Sequence, residues 1–207
     1  MRIKDLGFRE LDRHYYFIEN LKNVKKVYKK LRIKNDINPI LVFSYINHEK
    51  GVQFRILGNV VVNENRLSIE YEFLNNEFIL SYDHFEDIDI KPIPKETILT
   101  IDGTSKVNEH VSKYYPNESL MSSRELKYLD KYRDLRLIDD VQFLLLTKDG
   151  QQEDVWARIE SMDEKEVLLC TLLDRTEKKF GLKKNDKIYI KYVNHPKYKG
   201  LMFVKKA

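Results

Sequence analysis

The chain reads as α+β: an N-terminal helix plus two mostly antiparallel β-meander or small-barrel modules joined by short helices. Three observations predict this. Phe17, Leu21, Val24, Tyr28 and Leu31 recur at alternating steps of four and three, the spacing of one helical face. Apolar residues then alternate with polar ones in closely spaced runs through the forties to about 101, with short turns between. The same alternation returns from 141 to 204. The expected organisation is an N-terminal helix and β module over 1–104, a helical connection over 105–135 and a C-terminal β module over 136–207.

Taken in order, the helix is expected from about Arg9 to Leu31, with Leu11 and Ile18 widening its apolar stripe. Lys22, Lys25, Lys26, Lys29 and Lys30 fill its outer face. Ile40 to Ile46 is a continuous apolar run, and Glu49-Lys50-Gly51 turns the chain into alternating Val52, Phe54 and Ile56. Gly58 marks a bulge or bend before Val60 and Val62. After an Asn63-Glu64-Asn65 turn, Leu67, Ile69, Tyr71 and Phe73 alternate with polar neighbours, which suits a strand with one wet face. Asn75-Asn76 turns again into Phe78, Leu80 and Tyr82. Pro92 and Pro94 punctuate the meander, and Glu96 to Ile101 reads as its last strand.

Ser105 to Tyr115 is expected as a short helix ended by Pro116. Ser122 and Glu125 have capping-box spacing, which places a second helix from about Ser123 to Asp134. Strands follow over Val141–Thr147, Val155–Met162, Val167–Leu173, Lys187–Val193 and Gly200–Val204. Asp149-Gly150 and Asp163-Glu164-Lys165 supply two of the turns.

Composition bounds the function. Of 207 residues, 42% are hydrophobic, enough for a packed core, so global disorder is excluded. Only 7 glycines and 5 prolines argue against a long flexible linker. A net charge of +4 is small for a non-specific nucleic-acid binder, so any such role must come from a local patch. Cys170 is the single cysteine, so no intrachain disulfide forms, which fits a reducing compartment. No secretory h-region and no apolar stretch of bilayer length is present. A cytoplasmic protein of bacterial or phage style is expected.

The segment from Asp154 to Val193 resembles a small bacterial family of unknown function, the DUF two-three-one-four type. The resemblance runs through Asp154-Val155-Trp156-Ala157-Arg158-Ile159, then Val167 to Leu173, then Gly181-Leu182-Lys183 with Asp186 and Ile188. Asp163-Glu164-Lys165 replaces the glycine step usual between the first two strands. The family brings no catalytic residues to carry over. Relatives that look like immunity or accessory proteins imply a binder.

Trp156 is the only tryptophan and is expected to share a strand face with Arg158. It reads either as an interface anchor or as a core residue. Trp156, Arg158 and Tyr198 are the candidate partner-binding residues. The lysine face of the first helix is the candidate for nucleic acid, or else a solvated face. Asp83, His84, Glu86, Asp87 and Asp89 crowd metal-capable groups, but the local set is too small for a site, so no metal is expected. Cys170 reads as a small buried hydrophobe. His14, His48, His110 and His195 have no nucleophile or acid at motif spacing, and no phosphate loop, dinucleotide fingerprint or nucleophile elbow occurs.

These readings favour a non-catalytic interaction protein, such as an immunity-type or phage-encoded inhibitor that binds a protein partner without a cofactor. The alternatives are a nucleic-acid binder using Lys22, Lys25, Lys26, Lys29 and Lys30, and a hydrolase whose site assembles only in space.

Overall fold

The computed structural model describes residues 1–19, 39–63, 66–70, 79–84, 87–94, 97, 112, 115, 117–147, 150–177 and 180–207. The chain divides into two compact units, Met1–Tyr114 and Tyr115–Ala207. The fold is α+β and strand-rich, and among the described residues no helix is long and apolar enough to cross a membrane.

The first unit is an antiparallel sheet. Strands β1 (His14–Ile18), β2 (Ile40–Asn47), β3 (Gly51–Asn63), β4 (Arg66–Glu70) and β6 (Ile90–Pro92) lie in the order β4-β3-β2-β1-β6. The short β5 (Ile79–Ser81) shares the β3 edge with β4. Directly opposed residues share a face. Tyr15, Phe43 and Arg55 therefore form one row across β1, β2 and β3, and Tyr45 and Gln53 form the next. The Tyr15 and Phe43 rings meet at 4.6 Å. The pairing of β2 with β3 shifts register between Leu41 and Val42, opposite Gly58, where the sequence marks a bulge.

The expected helix over Arg9 to Leu31 is corrected at its start. A single helical turn, α1 (Phe8–Leu11), ends there, and Arg13 takes a positive φ of 58°. The chain then enters β1, which pairs with both β2 and β6. Tyr15, Tyr16, Phe17 and Ile18 are bulky or β-branched residues that suit a buried ladder, and tertiary pairing overrides a spacing that also fits a helix. Leu21, Val24, Tyr28 and Leu31 lie outside the described residues.

The second unit is a closed barrel. Strands β7 (Asp140–Leu146), β8 (Gln152–Met162), β9 (Val167–Leu172), β10 (Lys187–His195) and β11 (Tyr198–Lys206) run as an antiparallel meander. β11 closes on β7 in parallel. Alternation decides which residues face inward: Val141, Phe143, Leu145, Val155, Ala157, Ile159, Leu168, Cys170, Leu172, Ile188, Ile190 and Leu201 fill the interior. Asp163 makes the β8–β9 turn with its carboxylate, which accepts from the N–H groups of Lys165 and Val167 at 2.9 and 2.8 Å.

Leu120 and Leu129 belong to the same core, so the helix α2 (Glu118–Glu125) and the 3-10 helix Lys127–Tyr132 are parts of the barrel unit. α2 begins five residues before the expected Ser123. Its N-cap is Asn117, whose side chain accepts from Leu120 N–H at 2.6 Å. Ser122 instead donates to the carbonyl of Glu118 at 2.9 Å.

Candidate binding cleft

One cleft of the unit lies along the seam where the barrel closes. β11 and β7 meet through one cross-strand pair, Met202 with Leu144. Before that pair, the edge of β7 is occupied from elsewhere: Arg133 bridges Val141, and Asp134 N–H donates to the carbonyl of Asp140 at 2.9 Å. The neighbouring Tyr132 lies against Gly200, where an added Cβ would come within 3.3 Å of the tyrosine hydroxyl. Glycine thus leaves room for the ring beside β11.

The result is a cleft of about 380 Å³. That is near the low end of ligand-sized pockets, about 300–1,000 Å³, and suits one or two side chains. Buried Phe143 and Leu201 and half-buried Leu144, Met202, Tyr132 and Gly200 make its inner lining. Exposed Gln142, Gln152 and Asp154 line the β7–β8 side, and Lys197, Tyr198 and Lys199 line the hairpin side.

Cross-strand pairing organises the outer surface around it. Lys191, Met202, Leu144 and Asp154 form one row over β10, β11, β7 and β8. An ammonium and a carboxylate therefore end a row whose middle is apolar. Gln142 pairs with Trp156 on the outer face of β8. Tyr198, at the start of β11, is 38% exposed and stacks on His195 with a centroid distance of 6.5 Å.

The three expected partner-binding residues divide accordingly. Tyr198 lines the cleft. Trp156 is half-buried and lies one strand away beside Gln142, with its backbone N–H donating to the Asp174 carboxylate at 2.7 Å. Arg158 shares that outer face but is held by Asp140 through Nε to Oδ1 at 2.6 Å and Nη2 to Oδ2 at 3.0 Å. That carboxylate raises the guanidinium pKa above its ordinary value and fixes the side chain against β7.

Lys22, Lys25, Lys26, Lys29 and Lys30 lie outside the described residues. Of the acidic cluster, Asp87 is paired with Lys4 at 2.7 Å, and the backbone of Asp89 forms an antiparallel β-bridge with that of Arg2. Cys170 is buried in the barrel core, where desolvation pushes its thiol well above the usual range. Sequence reasoning missed Gln142, Asp154, Gly200 and Met202. The one available signal was the run Lys197-Tyr198-Lys199-Gly200, a basic and aromatic tip followed by glycine.

No protein-family model matches the chain, and no curated protein or solved structure matches it either.

Proposed function

We propose that the chain is a non-catalytic interaction protein whose barrel unit seats an extended segment of a protein partner in the seam cleft. The observation that carries this reading is the amphipathic opening between β7 and β11, with Leu144 and Met202 in the middle and amides and charges around them. An apolar partner side chain fits against Leu144 and Met202, the part of the surface that gains most from leaving water. The amides of Gln142 and Gln152 offer both donors and acceptors to a peptide backbone. Tyr198 at the rim and Trp156 beside Gln142 supply aromatic area of the kind that dominates interface energetics. A closed barrel presents this surface preformed, so little ordering cost falls on the chain when it binds. An inhibitory or escort role, of the immunity-type or phage-encoded kind, belongs to the same proposal.

The test is affinity capture from nuclease-treated lysate of the source cell, with wild-type and Tyr198→Ala baits compared. A protein retained by wild type and depleted on the variant is the expected outcome. Identical retention by both baits, or turnover of a small molecule by a chain that captures no protein, would overturn the reading.

A further inference from the structure

We infer that the segment seated in the seam cleft is acidic: an extended protein stretch with carboxylates to one side of an apolar side chain. This deepens the proposed function and rests on it. The observation behind it is the charge of the terminal hairpin. From Lys187 to Ala207 the chain holds six lysines and neither aspartate nor glutamate.

Three of these ammonium groups are engaged. Lys187 pairs with Glu160 at 2.9 Å, Lys206 pairs with Asp186 at 2.8 Å, and Lys205 sits over the Tyr189 ring at 5.3 Å. The other three, Lys191, Lys197 and Lys199, are exposed and form no ion pair among the described residues. Lys197 and Lys199 line the cleft, and Lys191 ends the row through Met202 and Leu144. The uncompensated positive charge is thus concentrated on one side of the apolar strip, while Asp154 stands on the other.

That asymmetry selects among ligands. A carboxylate-bearing segment gains from the lysine side without approaching Asp154. A phosphate backbone prefers a continuous cationic track, and here Asp154, Gln142 and Gln152 interrupt it. Exposed lysine–carboxylate pairs contribute little each, so the charges steer and orient while the apolar contact holds the segment.

The experiment titrates the full chain with four fluorescent probes of about ten units each. Three are peptides with a central leucine–phenylalanine pair, flanked by glutamates, by glutamines or by lysines; the fourth is oligothymidylate. The glutamate peptide is expected to bind about ten-fold tighter than the glutamine peptide. That advantage should fade between about 50 mM and about 500 mM salt. Replacing the two cleft lysines together, Lys197→Gln with Lys199→Gln, should bring the glutamate and glutamine peptides to equal affinity. Equal affinity of those peptides for wild type would overturn the acidic partner while leaving the protein-binding cleft intact. Tighter binding of the lysine peptide or of oligothymidylate would also overturn it. Failure of all three peptides would remove the cleft reading as well.

Discussion

Arg124 of α2 grips Asp139 at the entry to β7, with Nε donating to Oδ1 at 2.9 Å and Nη2 to Oδ2 at 2.7 Å; the side chains are 2% and 1% exposed. The carbonyl of Asp139 accepts from Ile159 N–H at 2.8 Å, so the same residue ties α2 to β8. Arg133 completes the corner by donating to the carbonyls of Ile138 and Ser123, each at 2.6 Å. This corner anchors the segment that pairs with the start of β7 through Arg133 and Asp134. Removing one partner leaves a buried charge uncompensated, so Arg124→Met should cost on the order of 3–5 kcal/mol in urea unfolding. The double substitution Arg124→Met with Asp139→Leu should cost less than either single change. A single-mutant loss below about 1 kcal/mol would show that the pair does not organise the barrel.

Arg55 presents the opposite case. It is 5% exposed, and its Nε and Nη1 have no hydrogen-bond partner among the described residues. It faces Phe43 across β2 and β3. Two buried guanidinium nitrogens without acceptors are a net cost, so Arg55→Met should raise stability by about 1–2 kcal/mol by denaturant titration. A loss of similar size would mean that the guanidinium is held by an interaction that stabilises the sheet.

Tyr16 sets an alkaline limit on the first unit. Burial, and then the charge of Glu10, push its hydroxyl up to about 12. It also donates to the backbone carbonyl of Glu10. In the unfolded chain the phenol ionises near its ordinary value, so the unfolded state loses the proton first as pH rises. The stabilisation is whole below about pH 10 and is lost progressively toward pH 12, on the order of 2 kcal/mol. Urea midpoints across that window should fall for wild type and fall less steeply for Tyr16→Phe. Parallel slopes would exclude this tyrosine as the cause.

Cys170 should be inert in the folded state. Its thiol is inside the barrel, and burial disfavours the thiolate. Labelling by a disulfide reagent near pH 8 is expected only as fast as the barrel opens, with a rate that tracks denaturant unfolding. Rapid stoichiometric labelling under native conditions would contradict the packing described for β9.

Much of the β structure is written locally. Gly58, which the sequence marks as a bulge or bend, lies at the register shift between β2 and β3. Strict alternation in 155–159 separates Val155, Ala157 and Ile159 from Trp156 and Arg158, because a strand turns successive side chains to opposite faces. Elsewhere two local signals compete and only tertiary structure chooses. Phe17 and Ile18 satisfy a helical period, yet β2 and β6 flank them and claim their backbone groups. Ser122 has capping-box spacing with Glu125, yet Asn117 caps α2 while Leu120 enters the barrel core. The cleft is less legible still. It depends on Leu144 meeting Met202 and on Tyr132 meeting Gly200, pairings between distant segments that no local pattern encodes.

The binding claim is tested most directly by where the chain touches its partner inside the cell. A photo-crosslinking side chain substituted for Tyr198 should form a covalent adduct with a protein. The same group substituted for Lys165, exposed in the β8–β9 turn and outside the cleft lining, should not. Adducts of equal yield from both positions, or nucleic acid as the species captured from position 198, would contradict a protein-binding seam.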